Sequence, residues 1–269
     1  MFSIIIPTYN RPDNLNRTVN SILSLNIKRE FEIIIVNDFP GGNIQTFGDR
    51  RIRIINNPVN LGRSKSRNAG ATAAVYPVLF FIDDDIEVKA DIFEKHLIEL
   101  ENGNSAVFSN VINVRTDGAF SNLNEFLNTR GANKSNISAE VKSNYFTSAF
   151  CSIKKDFFDH IGKFDENFSG YGWEDPELGI RIEKNGGRIS FVKTGSLIHY
   201  HDKSVDEWVY QIENAGANLK YLIKKHPEFA NRIHYRLLVS PLGYLFFNSA
   251  LSRISLSFMF YSAVRKSLK

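Results

Sequence analysis

Four short runs of β-branched and aromatic residues, separated by stretches with helical spacing, restrict this chain more than any other feature. Residues 2–6 (Phe-Ser-Ile-Ile-Ile), 31–36 (Phe-Glu-Ile-Ile-Ile-Val), 52–55 (Ile-Arg-Ile-Ile) and 78–82 (Val-Leu-Phe-Phe-Ile) are bounded by turn residues and read as buried strands. Between them, 13–25 keeps Leu15, Val19, Ile22 and Leu23 at helical spacing behind Asp13, and 63–75 is rich in Ala with Arg and Lys. Strands alternating with helices imply an α/β fold, with a mostly parallel central sheet flanked by helices. At 269 residues and 43% hydrophobic composition, the chain can bury a sizeable core. The composition changes after Pro227, so the expected units are a main domain at 1–226 and a basic, apolar helical tail at 227–269.

In open α/β sheets, ligands bind beyond the carboxyl ends of the strands. The polar residues fall there: Pro7-Thr8-Tyr9-Asn10-Arg11 after the first run, Asn37-Asp38 after the second and Asp83-Asp84-Asp85 after the fourth. Neither a GxGxxG fingerprint nor a GxxxxGK[ST] loop occurs, which counts against nicotinamide or ATP-hydrolysing chemistry. Three adjacent carboxylates call for a cation, and oxygen donors suit Mg²⁺ or Mn²⁺. Downstream, Ala106-Val107-Phe108, Tyr145 to Ile153 and 188–192 are strand-like, and Asn122 to Asn144 is a polar stretch read as an acceptor loop. A helix at 175–185 follows Gly170-Tyr171-Gly172-Trp173-Glu174-Asp175, so the Glu-Asp pair sits at a helix N-terminus; His199 and His201 come shortly after.

Sugar transfer from a nucleoside diphosphate needs the departing diphosphate neutralised and an acceptor hydroxyl deprotonated. The Asp83–Asp85 loop could hold a metal, Asp175 could take the proton on the opposite side of the sugar ring, and His199 or His201 could add an imidazole ligand, His199 being favoured. Arg63, Lys65 and Arg67 open a helix whose dipole they oppose unless an anion lies nearby, and Arg67 suits phosphate by its fork of donors. Asp38 suits a nucleobase N–H, and Tyr171 and Trp173 a sugar face. Each residue also has a plainer use: the triplet as a solvated turn, Glu174-Asp175 as a helix cap, the aromatics as packing and Asp38 as a turn residue.

The single cysteine, Cys151, excludes an intrachain disulfide and fits a reducing compartment. Met1 to Pro7 has no basic n-region and is too short for a signal core, so a cytoplasmic protein is expected. The net charge of +4 is uneven: from Lys224 on there are eight Lys/Arg against Glu228 alone, leaving 25 basic and 28 acidic residues before it. Two apolar runs in this tail, Leu237 to Ser252 and Ile254 to Val264, are too short to span a bilayer. They suit a peripheral segment at a membrane surface, or helices packed on the main domain or in a dimer. Nucleic acid is a poor partner for positive charge concentrated in an apolar tail.

The succession Pro7-Thr8-Tyr9-Asn10-Arg11, Val36-Asn37-Asp38, Asn60-Leu61-Gly62 to Asn68-Ala69-Gly70, Phe81 to Asp85, Gly162 to Glu166 and Gly172-Trp173-Glu174-Asp175 resembles family 2 glycosyltransferases of GT-A fold, over about residues 2–202. The resemblance implies an inverting, usually metal-dependent transferase using a nucleotide-diphosphate sugar, often UDP-linked; the expected acceptor is a glycan or a lipid-linked saccharide, the latter suited by a tail at a membrane surface. By it, Thr8 and Asp38 contact the base and Asp83 approaches the ribose. The triplet aligns with the family's DXD motif as it stands or shifted by one; Asp85 is the first choice for the metal, with Asp84 and Glu174 as substrate contacts. The Gly172-Trp173-Glu174-Asp175 and His199-Tyr200-His201-Asp202-Lys203 segments also resemble those of β-1,4-galactosyltransferases, which implies Asp175 as base and His199 as metal ligand. Trp173 stands where those relatives have a second glycine.

Overall fold

A computed structural model describes residues 1–117, 121–129, 143–232 and 256–267. The central sheet has seven strands: β1 (Phe2–Thr8), β2 (Phe31–Asn37), β3 (Ile52–Asn56), β4 (Val78–Ile82), β6 (Ala106–Ser109), β8 (Phe150–Lys154) and β9 (Ile189–Val192), in the order β3-β2-β1-β4-β8-β6-β9. The pairs among β3, β2, β1 and β4 are parallel and so is β6 with β9, while β8 runs antiparallel to β4 and β6. A second, three-stranded sheet has the order β5-β10-β7, formed by β5 (Ile86–Val88), β7 (Ile112–Val114) and β10 (Leu197–Tyr200).

Period-two alternation explains why the strand runs are apolar throughout: successive side chains enter two different cores. Phe2, Ile4, Ile6, Ile33, Ile35 and Phe80 pack on one face against helices α1 (Pro12–Leu23) and α3 (Phe93–Glu101). Ile5, Ile34, Val36, Leu79 and Phe81 pack on the other, against α2 (Arg63–Ala73), α5 (Lys155–His160) and α6 (Glu174–Lys184). The chain winds outward from β1 to β2 and β3, then returns through α2 to place β4 on the other side of β1. The order reverses at β1 and β4, and a crevice opens at such a reversal, beyond Thr8 and Ile82.

Two stretches differ from expectation. The strand expected from Tyr145 starts only at Phe150, because Ser143–Tyr145 form a 3₁₀ turn packed on α6. Residues 122–128 of the expected loop form helix α4 (Asn122–Asn128), started by a capping box: Ser121 Oγ accepts from the Asn124 N–H and Asn124 Oδ1 accepts from the Ser121 N–H. The rest of that loop, from 130 to 142, lies outside the described residues, as does the Leu237 to Ser252 run.

A third cluster gathers Leu123, Phe168, Ile180 and Phe229 with Trp208 and Ile212 of α7 (Val205–Asn214) and Leu219 and Leu222 of α8 (Gly216–Lys225). Phe229 opens the short helix α9 (Phe229–Arg232). Helix α10 (Leu256–Ser267) joins the cluster through Ala263 and Val264, stacks Phe260 on Trp208 and pairs Lys266 with Glu213 of α7. Among the described residues no helix is long and apolar enough to cross a membrane.

The 3₁₀ turn depends on Gly179 in α6, where a Cβ would come within 2.2 Å of the Ser143 carbonyl oxygen and 2.9 Å of Phe146 Cβ. Backbone at that distance cannot yield locally. Gly179→Ala is expected to lower stability by about 1–3 kcal/mol, read as a fall in the urea midpoint at unchanged m.

Candidate active site

Six segments converge on the reversal point and enclose a cleft of about 720 Å³: the ends of β1, β2 and β4, the starts of α2 and α6, and the exit of β10. Of the expected residues, Thr8, Asp38, Arg67, Asp83, Asp84, Asp85, Trp173, Glu174, Asp175 and His199 all line it. His201 and Tyr171 do too, whereas Lys65 does not.

The three aspartates point at three different partners. Asp83 accepts from Arg67 Nη2 at 2.8 Å and is the most exposed of them. Asp84 turns inward, accepting Thr8 Oγ1–H at 2.6 Å, while its backbone carbonyl accepts Thr18 Oγ1–H at 2.8 Å. Burial, then the charge on Asp85, pushes the Asp84 carboxyl up to about 7. Asp85 accepts from Arg11 Nη1 at 3.0 Å and lies 3.2 Å from His199 Nε2. Its burial works against ionisation, yet His199 and Arg11 hold its carboxyl below the usual range. The same contact raises the His199 imidazole against the effect of its burial. Of the triplet it is therefore the last aspartate, not the first, that meets the histidine.

A divalent cation fits this corner. Asp85 Oδ1 is buried without a hydrogen-bond partner, and so is His201 Nδ1 across a 5.6 Å ring-to-ring distance from His199. Burial, then the neighbouring His199, lowers the His201 imidazole to about 4 and keeps it neutral. Carboxylate and imidazole are the donors that Mn²⁺ and Mg²⁺ accept. Among the described residues no group of three or more His, Cys, Asp or Glu side chains is arranged as a complete metal cage, so a cation held by Asp85 and His199 would draw its other ligands from substrate or water.

Across the cleft, α6 begins after an unusual turn. Gly170 and Gly172 have φ of +72° and +85°, and Trp173 itself lies at +78°, in the left-handed region that favours glycine. Trp173 is half-buried, with its ring edge-on to Phe229 at 6.1 Å. Neither carboxylate that follows caps the helix. Glu174, 4% exposed, faces Arg63 at 3.4 Å and Arg67 at 3.5 Å. Asp175 accepts two bonds from Ser148, from its N–H at 2.9 Å and its Oγ–H at 2.5 Å. Burial, then the adjacent Glu174, raises the Asp175 carboxyl to about 6, opposed by Arg67 and by the Ser148 bonds.

Arg67 lines the cleft but is 2% exposed, with its guanidinium spread between Asp83 and Glu174. It braces the triplet against α6. Among the described residues, the cations that face open cleft are Arg11, Arg63 and Lys203, whose Nζ donates to Gln211 Oε1 at 3.1 Å. Burial, then Arg11, lowers the Lys203 ammonium. Asp38 accepts from Asn57 Nδ2 and from the Leu61 and Gly62 N–H groups, all at 2.8 Å, so it shapes the loop into α2 while facing the cleft. Sequence reasoning assigned no role to Arg11, Ser148 or Lys203; Lys203 had one signal, its place two residues after His201.

The chain matches the profile of Glycosyl transferase family 2 over residues 3–162, more than half its length, and so belongs to that family. Residues 130–203 match a second profile, described as the N-terminal domain of galactosyltransferase. Among curated relatives, polypeptide N-acetylgalactosaminyltransferase 16 of Homo sapiens is 25% identical over 224 residues, covering 75% of this chain and 40% of that protein. Inactive polypeptide N-acetylgalactosaminyltransferase-like protein 5 of Mus musculus is 26% identical over 236 residues, covering 76% and 54%. The chain spans about two fifths of the length of the first of these. The crystal structure of S. aureus TarS superposes with a TM-score of 0.59 at 16% identity, covering 94% of this chain and 46% of that one. The architecture is the GT-A fold, a central α/β sheet flanked by helices.

Removing the Arg67 brace leaves Asp83 without its arginine and Glu174 with Arg63 alone, at 3.4 Å. Arg67→Met is expected to cost about 3–5 kcal/mol in urea unfolding, more than Arg63→Met, because Arg67 is the buried partner.

Proposed function

We propose that this chain is an inverting glycosyltransferase that moves a sugar from a nucleotide-diphosphate donor, UDP-linked, to a hydroxyl of a glycan or lipid-linked saccharide. The observation that carries the reading is that one cleft holds two separate pieces of chemistry: Asp85 with His199 3.2 Å away, and Asp175 fixed by two Ser148 bonds on a different element. When bound there, Mn²⁺ or Mg²⁺ would neutralise the departing diphosphate.

The chain's own groups do the rest. Thr8, Asp38 and Asp84 line the end of the cleft assigned to the nucleotide, with Asp83 toward the ribose. Arg11, Arg63 and Lys203 supply positive charge to the diphosphate, and Arg67 holds Asp83 in position for it. Tyr171 lies under Arg63 and Lys203, 5.3 and 5.8 Å from its ring, and forms with Trp173 an aromatic wall for a sugar face. Asp175 takes the acceptor proton. Both its oxygens are oriented by Ser148, and titration at about 6 leaves it ionised at neutral pH yet more basic than an ordinary aspartate. Attack from the Asp175 side opposite the leaving diphosphate inverts the anomeric centre. Cys151, buried and unpaired, fits a cytoplasmic enzyme.

The alternative is a binding module without turnover, and one relative is named as inactive. Nucleoside diphosphate release from a panel of UDP-, GDP- and dTDP-sugars, hexoses and N-acetylhexosamines, with Mn²⁺ or EDTA, separates the two. Turnover with one donor, abolished by EDTA and by Asp85→Ala, is the expected result. Asp175→Asn should lose about 10²–10⁴-fold in kcat while still binding donor. Donor binding with no turnover in the wild type, whatever the acceptor, would select the binding module.

The pH profile follows from the Asp175 environment. Its raised pKa means that the active carboxylate is lost as pH falls through about 6, so kcat/KM should drop below that pH. The Ser148 bonds favour the charged form, so Ser148→Ala should move this acid limb to higher pH. A limb that stays in place would show that Ser148 does not hold the base.

A further inference from the structure

The orientation of the His199 ring is decided several bonds away from it. In the parallel pairing of β7 with β10, Asn113 lies opposite His199, and its Oδ1 is 2.7 Å from His199 Nδ1. An asparagine amide is nearly symmetric in shape, so its neighbours determine which atom faces where. Here the neighbours are backbone. Asn128 Oδ1 accepts the Asn113 backbone N–H at 2.7 Å, and Asn128 Nδ2 donates to the Asn113 backbone carbonyl at 3.1 Å. A backbone N–H and C=O cannot exchange places, so the Asn128 amide has one allowed direction. Facing Asn128 Oδ1, Asn113 presents its Nδ2, at 2.8 Å. That leaves Asn113 Oδ1 for His199, and an oxygen with no proton requires an N–H opposite it. Nδ1 therefore keeps its proton; Asp85 Oδ1 is an acceptor too, but at 3.2 Å it has no aligned hydrogen bond from Nε2, so Nε2 is the nitrogen that gives up its proton when the ring becomes neutral.

Helix α4 supplies a second hold on the same strand. Asn124, one turn before Asn128 and fully buried, donates from Nδ2 to the His201 carbonyl at 3.0 Å. The two asparagines share one face of α4. Together they fix the backbone beside His199 and at His201.

We propose that Asn113, locked by Asn128, is a positioning residue that keeps neutral His199 in the Nδ1–H form and so presents Nε2, beside Asp85, as a ligand for a divalent cation. An Nε2–H tautomer would aim a proton where the lone pair is needed, and an outer partner of this kind also raises ligand basicity. The ligand role rests on the reading of the cleft given under Proposed function; the tautomer does not.

Long-range ¹H–¹⁵N spectra of the full chain labelled at histidine, metal-free and at a pH where the ring is neutral, report the tautomer directly, with His199 assigned through His199→Gln. The wild type should show Nδ1–H, Asn113→Leu should lose that preference, and Asn128→Leu, which frees the Asn113 amide to turn, should give a mixture. Mn²⁺ binding, read from the free-ion electron paramagnetic resonance signal, should weaken about 10–100-fold in Asn113→Leu, with a metal-free melting curve to show that the variant folds. An Nε2–H ring in the wild type, or an unchanged tautomer in a folded Asn113→Leu, overturns the proposal, and the wild-type spectrum alone can do so. The expected tautomers together with a wild type that binds no Mn²⁺ would overturn the ligand role and the metal-dependent reading of the cleft, leaving Asn113 as the partner that orients His199.

Discussion

Crowded carboxylates are the constraint on which the rest of this structure depends. Asp38, Asp83, Asp84, Asp85, Glu174 and Asp175 line one cleft, and like charges taken partly out of water repel at a low effective dielectric. Each has been given its own remedy. Asp38 is tied up by a loop, Asp84 bonds a threonine and moves toward its protonated form, Asp83 and Glu174 share Arg67, and Asp175 takes two bonds from Ser148. Asp85 alone keeps a buried oxygen without a hydrogen-bond partner, and that oxygen faces a histidine. The stabilised carboxylates form the frame, and the unsatisfied one marks where further chemistry belongs.

The frame is assembled from both ends of the chain. The parallel strands bring Thr8 and the triplet together, whereas the histidines arrive on a separate small sheet and the base on a helix that starts from a left-handed tryptophan. These later pieces are kept in register by polar side chains reaching across long sequence separations: Ser148 to Asp175, Asn68 to the Phe164 backbone, and Asn124 to the His201 carbonyl. Packing behind them is apolar, so the positions of the functional groups follow from a rigid core, with short polar ties at its rim.

Much of this was legible in the sequence because the signals are local. Apolar runs with turn residues on either side specify buried strands, and such strands alternating with helices leave few topologies open. The ends of those strands then identify Thr8, Asp38 and the triplet as neighbours. The first seven residues of the polar run from Asn122 form a helix where the sequence reads as loop, because asparagine has low helix propensity. Here one asparagine completes the capping box, and two secure the histidine strand. Ser148 carried no local pattern and Lys203 only its place two residues after His201, since their significance comes from a residue 27 positions away in one case and from the surrounding arginines in the other.

The sequence by itself determined the doubly covered sheet, the edge on which the polar residues gather and the start of the helix bearing Glu174 and Asp175, since each follows from periodicity or from a residue's immediate neighbours. Only the tertiary structure decided which aspartate of the triplet meets His199, that Arg67 is a buried brace and not an open cation, and which imidazole nitrogen faces the cleft. Those outcomes depend on side-chain directions and hydrogen-bond polarity between segments about 16 to 114 positions apart, quantities that exist only once the sheet, its crossovers and the second small sheet have closed around them.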